Sequence, residues 1–183
     1  MIIPSETHHE LLYWVDEQDR VLGSVSRKRV HDERLLHREV ALLVFDEKKG
    51  VLFQKRSMKK RSNPGLWSTS VAGHIEFGTE PLETALREAK EEVGLEGIKV
   101  RYLGKELLKD DAEQYFKYWF SAQVSTEYPF ILNREEVDEV RFFSAEELTR
   151  ALDEGEQFNR VFVERVRLFW TNELEKTLLK EEV

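Results

Sequence analysis

The chain has 183 residues, a formal net charge of −8 and no cysteine. The lack of cysteine excludes disulfides, cysteine-ligated zinc and a thiol nucleophile, and the acidic balance argues against general binding to a nucleic-acid polymer. No apolar run approaches the roughly 20 residues that a membrane span needs, and the N-terminus lacks the pattern of a signal peptide. We therefore expect one cytoplasmic domain over residues 1–183, with a sizeable core and no membrane partner.

Taken in chain order, the first elements are predicted to be strands joined by turns. The nearly continuous apolar run at 40–45 is typical of a strand buried on both faces. The predictions are a hairpin over 11–25, a charged connector over 27–37, a strand over 40–45, a turn over 46–50, a second strand over 51–54 and a loop at 62–65.

The second half of the chain alternates strands with helices. Strands are predicted over 98–108, 114–124 and 137–143. Ser144, with Glu147 three residues later, resembles a capping box that opens a helix running through Leu152. A long helical period from Phe158 to Leu179 predicts a C-terminal helix whose apolar stripe is typical of core packing.

The most informative stretch is GHIEFGTEPLETALREAKEEVGL, at 73–95. Pro81 suits the first turn of a helix, Thr79 or Glu80 its N-cap, and Gly94 the position just past its last turn. The face predicted to pack against the core is an apolar stripe of Leu82, Ala85, Leu86, Ala89 and Val93.

This predicted helix carries three closely spaced carboxylates. Glu88 and Glu92 form an i, i+4 pair whose side chains can converge on one ion, and Glu91 can reach the same region or a second ion. Arg87 can hold a carboxylate in place by a forked hydrogen bond. REAKEE alone is typical of a solvated helix face, but the glycine-bearing loop before it and the glycine after it favour a site for divalent cations and phosphates.

The same segment resembles the Nudix box. The positions that match that motif in register are Gly73, Arg87, Glu88, Glu91, Glu92, Gly94 and Leu95. Thr79 stands where the motif has its first Glu, Glu80 follows one residue later, and Ala89 replaces a larger aliphatic residue. The resemblance implies a Nudix α/β/α sandwich with a mixed sheet and a core over about 38–155. Residues 1–37 would form an N-terminal hairpin extension and 156–183 a long C-terminal helix.

The resemblance also implies a pyrophosphohydrolase that cleaves a phosphoanhydride bond in a nucleoside-diphosphate-linked or related small-molecule diphosphate. The implied cofactor is Mg²⁺ or Mn²⁺, held by Glu88 and Glu92, with Glu91 as a ligand or as the base that activates water. The carbonyl of Gly73 could complete the site. Nudix hydrolases often use a further acid from a later loop, and the sequence does not choose among Glu113, Glu135, Glu136, Asp138 and Glu139.

A basic segment, QKRSMKKR at 54–61, stands out in this acidic chain. Its Lys55 and Arg56 could clamp a phosphate, or the segment could be a solvated loop. The resemblance favours Arg56 for substrate binding, since many Nudix hydrolases carry a basic residue at the end of this strand. Trp67 could stack on a base or belong to the core.

The passages HDERLLHREV and RSNPGLWSTSVAGH are similar to isopentenyl-diphosphate isomerases of the Nudix fold. Those enzymes build a metal site from two upstream histidines, a histidine just after the glycine and later acids, which implies His31, His37 and His74 here. They also need a cysteine immediately before the Gly-His pair, where this chain has Ala72, whose methyl group cannot transfer a proton. The histidines are therefore either a second metal site or hydrogen-bonded structural residues.

Three functions follow from these patterns. The first is hydrolysis of a diphosphate, in the isomerase-like branch of Nudix hydrolases. The second is a module that binds a nucleotide or sugar nucleotide without turnover, for which Thr79 leaves room. The third is isomerisation of an isoprenoid diphosphate, against which Ala72 argues. The sequence neither identifies the substrate nor chooses between a monomer and a homodimer.

Overall fold

The computed structural model describes residues 10–60, 62–109 and 113–174. Its elements, in chain order, are β1 Leu11–Val15, β2 Val21–Ser26, α1 Arg27–Glu33, β3 His37–Asp46, β4 Gly50–Arg56, β5 Trp67–Ser68, β6 Val71–His74, α2 Pro81–Val93, β7 Val100–Lys109, β8 Gln114–Gln123, β9 Val137–Phe143, α3 Ala145–Asp153 and α4 Arg160–Trp170. Three predicted features lie outside the described residues: Arg61 of the basic segment, Asp110-Asp111 between two strands, and the part of the C-terminal helix beyond 174.

The main sheet has seven strands and is mixed, as predicted. The strand order is β5-β4-β3-β8-β7, with β6 also paired to β3 and β9 to β4. β3 and β8 run parallel, from His37 beside Tyr115 to Phe45 beside Gln123, whereas the other pairings are antiparallel. β1 and β2 form the predicted N-terminal hairpin as a separate two-stranded sheet.

Side chains that alternate along β3 divide the core into two layers. Ala41 and Leu43 belong to a buried cluster that includes residues of α3 and α4. Val40 and Leu42 belong to a second cluster that includes the buried face of α2. Helices therefore cover both faces of the sheet, which confirms the predicted sandwich.

Two element predictions were wrong. The charged connector after β2 is the helix α1, which the Ser26 side chain caps and which exposed i, i+4 ion pairs such as Arg29–Glu33 support. The predicted continuous helix over 158–179 ends at Trp170, because Asn172 adopts a left-handed backbone with a φ of 56°.

Helix α2 lies where it was predicted but buries a narrower face. Leu82 and Leu86 remain 45% and 39% exposed, so they do not belong to the packed stripe. The buried positions are Thr84, Ala85, Ala89, Glu92 and Val93. Glu80 is the N-cap without a side-chain capping bond, and Thr79 Oγ1 instead donates to the Glu76 carbonyl at 2.8 Å. The small residues on this face let the helix pack close to the sheet, and Glu92 is buried between the two.

The second predicted cap is confirmed, since Ser144 and Glu147 form a reciprocal capping box at the start of α3. The N-terminal hairpin contacts the loop before α2, where the Phe77 N–H donates to the Leu11 carbonyl at 2.7 Å. None of the helices in the described part of the chain is long and apolar enough to cross a membrane.

Candidate metal and active site

Helix α2 brings two carboxylates into the protein at its C-terminal half. The side chain of Glu88 is 15% exposed, and Glu92 as a residue is 8% exposed. Gly94 ends the helix directly afterwards in a left-handed conformation with a φ of 70°. The predicted i, i+4 pair therefore lies on the sheet side of the helix, where burying two charges costs free energy unless a cation compensates them.

Glu92 is held against the sheet by two neutral donors. The side-chain Nε2 of Gln54 and the backbone N–H of Ala72 each lie 3.3 Å from its Oε2 atom. Burial raises the pKa of Glu92 to about 8, and the charge of Glu88 acts in the same direction, while the two hydrogen bonds oppose it. At neutral pH and without a bound cation, Glu92 is therefore mostly protonated.

Glu88 packs directly on Gly73. A Cβ atom added at Gly73 would lie 2.4 Å from the Glu88 Cδ atom, so any side chain there would collide with the carboxyl group. Burial raises the pKa of Glu88 to about 7, although the guanidinium of Arg87 opposes the rise. The structure thus brings the predicted site residues Gly73, Glu88 and Glu92 together at one place.

Arg87 and Glu91 lie further round the helix. The Arg87 guanidinium contacts Glu76 at 3.1 Å and Glu88 at 3.0 Å, and it donates a hydrogen bond to Glu91 at 3.0 Å. The side chain of Glu91 is 53% exposed. Arg87 therefore orients carboxylates, as the sequence suggests, while Glu91 faces solvent at the edge of the site.

The three predicted substrate-binding residues separate in the structure. Trp67 is 3% exposed, with its ring against Phe143 and Phe158 in the α3 and α4 layer. The Lys55 Nζ atom lies 5.4 Å from the centre of the Trp67 ring, which places it in the same layer. Both therefore lie on the face of the sheet opposite α2, which favours the core alternative for Trp67, and the assignment of Trp67 and Lys55 to substrate binding stays a prediction. Arg56, which donates to the Ser62 carbonyl at 3.0 Å, remains a candidate.

The lysines of the basic segment are paired with acids of the loop before β9. Lys59 forms an ion pair with Glu135, and Lys60 forms one with Glu136. The charge of Glu136 also raises the pKa of both Glu88 and Glu92. The negative charge of Glu136 therefore disfavours the ionised forms of both Glu88 and Glu92.

The histidines predicted from the isomerase resemblance do come together. His37, Glu39 and His74 offer ligand atoms that all lie within 4.8 Å of one another. His37 Nδ1 lies 3.0 Å from the Leu35 carbonyl, so this nitrogen carries the proton, and the buried Nε2 atoms of His37 and His74 have no hydrogen-bond partner. Burial lowers the pKa of His74 to about 3, which keeps it neutral.

This cluster also contains a cation of the chain itself. Burial opposes ionisation of Glu39, but its ion pair with the Lys117 ammonium holds the pKa of Glu39 well below its usual range. His31 lies at the edge, with Nδ1 3.1 Å from Glu113 Oε1. Neutral imidazoles and a carboxylate are ligands that transition metals prefer. His37, His74 and Glu39 could therefore hold a transition-metal ion while Lys117 remains beside Glu39.

Sequence reasoning missed two residues at the acidic site. Gln54 could have been found, because it alternates with Leu52 on a predicted strand and so faces the same helix. Glu10, whose charge raises the pKa of Glu88, gave no signal, since it precedes the hairpin without a motif. Glu10 is paired with Arg27 at 3.0 Å, and its effect on Glu88 places this part of the N-terminal extension at the edge of the site.

The residues of α2 fit a divalent ion. Carboxylate oxygens are the ligands that Mg²⁺ and Mn²⁺ prefer, and the space that Gly73 leaves allows the Glu88 carboxyl to sit against the backbone of β6. The raised pKa values of Glu88 and Glu92 show that two adjacent negative charges are not compensated by the chain alone.

Comparison with known proteins gives consistent matches. A family model described as the NUDIX domain matches residues 35–166. An uncharacterized Nudix hydrolase of Pseudomonas aeruginosa is 32% identical over 137 residues, covering 75% of this chain and 80% of the relative. An isopentenyl-diphosphate Delta-isomerase of Serratia proteamaculans is 40% identical over 85 residues, covering 46% and 48%. The crystal structure of DR0079 from Deinococcus radiodurans shares the fold, with a TM-score of 0.73, 23% identity, and coverage of 86% and 98%.

Proposed function

Since the chain belongs to the Nudix family and is a pyrophosphohydrolase, we propose that it cleaves a phosphoanhydride bond in a nucleoside-diphosphate-linked or related diphosphate with Mg²⁺ or Mn²⁺ as cofactor. The observation that carries this proposal is the position of partly buried Glu88 and buried Glu92 one turn apart on the sheet side of α2. Two buried carboxylates destabilise the fold unless a cation compensates them, so their placement is explained by binding of a divalent ion.

The catalytic residues we assign are Glu88, Glu92, Glu91 and Arg87. Glu88 and Glu92 hold the ion, together with the Gly73 carbonyl, and Arg87 keeps Glu88 and Glu91 oriented. When bound, the ion neutralises phosphate charge and makes a coordinated water more acidic. Glu91 is half exposed at the edge of the site, which suits it to accept a proton from water or to bind a second ion.

Glu136 is our candidate for the further acid from a later loop. It is the member of the open set whose charge acts on both Glu88 and Glu92. Three of the other four have different partners: Asp138 accepts from Ser57 and Met58, Glu135 pairs with Lys59, and Glu113 pairs with His31. Arg56 is our candidate for binding the phosphates from the strand end.

The test is a phosphate-release screen over nucleoside diphosphates, triphosphates, sugar nucleotides, dinucleotides and coenzyme A esters, with Mg²⁺ or Mn²⁺. Glu92→Gln is expected to abolish most turnover, because a neutral amide binds a divalent ion far more weakly than a carboxylate does. Glu83→Gln is the matched control, since it removes an exposed carboxylate from the same helix and is expected to leave turnover unchanged. Wild-type rates in folded Glu92→Gln protein would refute the assignment.

The same screen addresses the binding-module hypothesis. A module without activity would bind a diphosphate tightly and release no phosphate after long incubation with either ion. Isomerase activity is not supported, because the Ala72 side chain has no group that transfers a proton and its backbone N–H donates to Glu92.

A further inference from the structure

Lys60 and Glu136 lie on two loops that are joined by backbone hydrogen bonds. The Ser57 N–H donates to the Glu136 carbonyl at 2.9 Å, and the Lys60 N–H donates to the Ser57 carbonyl at 3.0 Å. Ser57 itself is 1% exposed, and its hydroxyl donates to Asp138 at 2.9 Å. The backbone positions of Lys60 and Glu136 are therefore fixed relative to each other, and only their side chains are free to change partners.

The acidic loop is in turn fixed to the helix that carries the metal candidates. The Asn133 N–H donates to the Glu92 carbonyl at 3.0 Å, and the Glu136 N–H donates to the Asn133 carbonyl at 2.9 Å. Glu136 is thus two hydrogen bonds away from the end of α2. This connection explains why its charge acts on both Glu88 and Glu92.

Glu136 consequently has two competing positions for its carboxylate. One is the Lys60 ammonium, with which it is paired here, at side-chain exposures of 26% and 37%. The other is a divalent ion between Glu88 and Glu92, which attracts a third carboxylate more strongly than a single ammonium does. The neighbouring Lys59–Glu135 pair is more exposed, with side-chain exposures of 58% and 69%, and Glu135 is not among the largest influences on Glu88 or Glu92.

We infer that Lys60 and Glu136 form a latch that couples metal binding to phosphate binding. In the ion-free protein Lys60 neutralises Glu136. Once Glu88 and Glu92 hold an ion, Glu136 moves to that ion and releases Lys60, whose ammonium then binds a phosphate of the substrate. Lys60 is a positioning residue in the first state and a substrate-binding residue in the second. The inference rests on the proposed function for the metal site on α2, and it adds an order of events: metal first, diphosphate second.

The latch can be tested without turnover by isothermal titration calorimetry. The first titration measures Mn²⁺ binding in the absence of any phosphate, with Glu92→Gln as the baseline for ions bound elsewhere. The second measures binding of imidodiphosphate, a pyrophosphate analogue that resists hydrolysis, to Mn²⁺-saturated protein. The variants are Lys60→Gln, Glu136→Gln and the double variant, and Lys59→Gln is the matched control. Thermal melting confirms that each variant is folded.

Lys60→Gln is expected to tighten Mn²⁺ binding about tenfold and to weaken imidodiphosphate binding about tenfold, because the ion no longer competes with the ammonium and the phosphate loses it. Lys59→Gln is expected to change either affinity by less than about twofold. In the Glu136→Gln background, Lys60→Gln is expected to leave Mn²⁺ affinity nearly unchanged, since no pair remains to break.

The double variant separates the latch from a simple charge effect. If Lys60→Gln changes Mn²⁺ affinity equally with and without Glu136, the positive charge of Lys60 acts on the ion at long range and not through the pair with Glu136. The latch is then overturned. No change in either background overturns it as well. Failure of the proposed function gives a different result: Glu92→Gln would then bind Mn²⁺ as wild type does, or no diphosphate would be hydrolysed although the Mn²⁺ titrations show the latch.

Discussion

Replacing Gly73 by alanine tests the contact between β6 and the Glu88 carboxyl. The new Cβ would lie 2.4 Å from the Glu88 Cδ atom, whereas ordinary contacts begin at 3.4 Å, so the carboxyl must move by about 1 Å or more. The group that moves is the far end of a flexible side chain rather than backbone. The chain can therefore fold around the substitution while the metal ligand is displaced.

The structure separates the cost to stability from the cost to function. The φ of Gly73 is not positive, so alanine adopts the backbone without strain, and it gains about 0.4–1 kcal/mol by restricting the unfolded chain. This gain offsets part of an overpacking cost of about 1–3 kcal/mol, so we expect the free energy of unfolding to fall by about 2 kcal/mol or less. A displacement of about 1 Å at a catalytic group typically costs about a hundredfold in rate.

The assay combines urea denaturation, Mn²⁺ calorimetry and kcat/KM on whichever diphosphate the screen identifies. Gly73→Ala is expected to stay folded, with a modest fall in its denaturation midpoint, while losing about a hundredfold in kcat/KM, together with Mn²⁺ affinity. Gly23→Ala is the control, because nothing lies within 4 Å of a Cβ there. If folded Gly73→Ala binds Mn²⁺ and turns over substrate like the wild type, the Glu88–Gly73 contact does not shape the site.

Three further predictions follow from the same contacts. The pKa values of about 7 for Glu88 and about 8 for Glu92 mean that both must lose protons to bind an ion. Mn²⁺ affinity measured by calorimetry should therefore be about 100-fold weaker near pH 6.5 than near pH 8.5. An affinity that does not change with pH would contradict this. Because the pKa values of Glu88 and Glu92 lie above that of an unfolded Glu, the ion-free protein should lose stability as pH rises from about 4.5 to about 8. Mn²⁺ should therefore raise the melting temperature more near pH 8 than near pH 4.5. Arg165→Met leaves buried Glu106 without its cation and should cost about 3–5 kcal/mol in urea denaturation, whereas Arg29→Met, which breaks an exposed pair, should leave the midpoint nearly unchanged.

The elements that could be predicted from the sequence are those whose signal is local. The individual strands, the capping box at Ser144 and the position of α2 follow from periodicity and cap residues within a few positions, whereas the mixed sheet was implied only by the family resemblance. Helix α1 was missed because Val30 is its only buried residue, so it has no apolar period, and its support comes from i, i+4 ion pairs. The packed face of α2 was predicted too wide, since nothing local indicates that Leu82 and Leu86 stay exposed.

The parts of the site that come from distant loops could not be predicted. Glu136 is 44 residues beyond Glu92 in the chain, and it reaches the acids because Asn133 is bonded to the last turn of α2. Lys55 and Arg56 are adjacent in sequence, yet Lys55 turns to the Trp67 layer on the other face of the sheet. A run of basic residues predicts charge, but which side of a strand each one occupies depends on tertiary pairing.

The three acids of α2 are equivalent in the motif but not in the fold, and the difference bears on the kind of ion that binds. Glu91 is exposed and paired with Arg87, so its carboxylate needs no ion to compensate its charge. Glu88 is partly buried, Glu92 is buried, and both carry raised pKa values, so an ion must displace protons from them rather than meet two free carboxylates. A monovalent ion compensates only one of the two charges that this displacement creates, whereas a divalent ion compensates both. The protons on Glu88 and Glu92 therefore favour Mg²⁺ or Mn²⁺ over the monovalent ions of the solution.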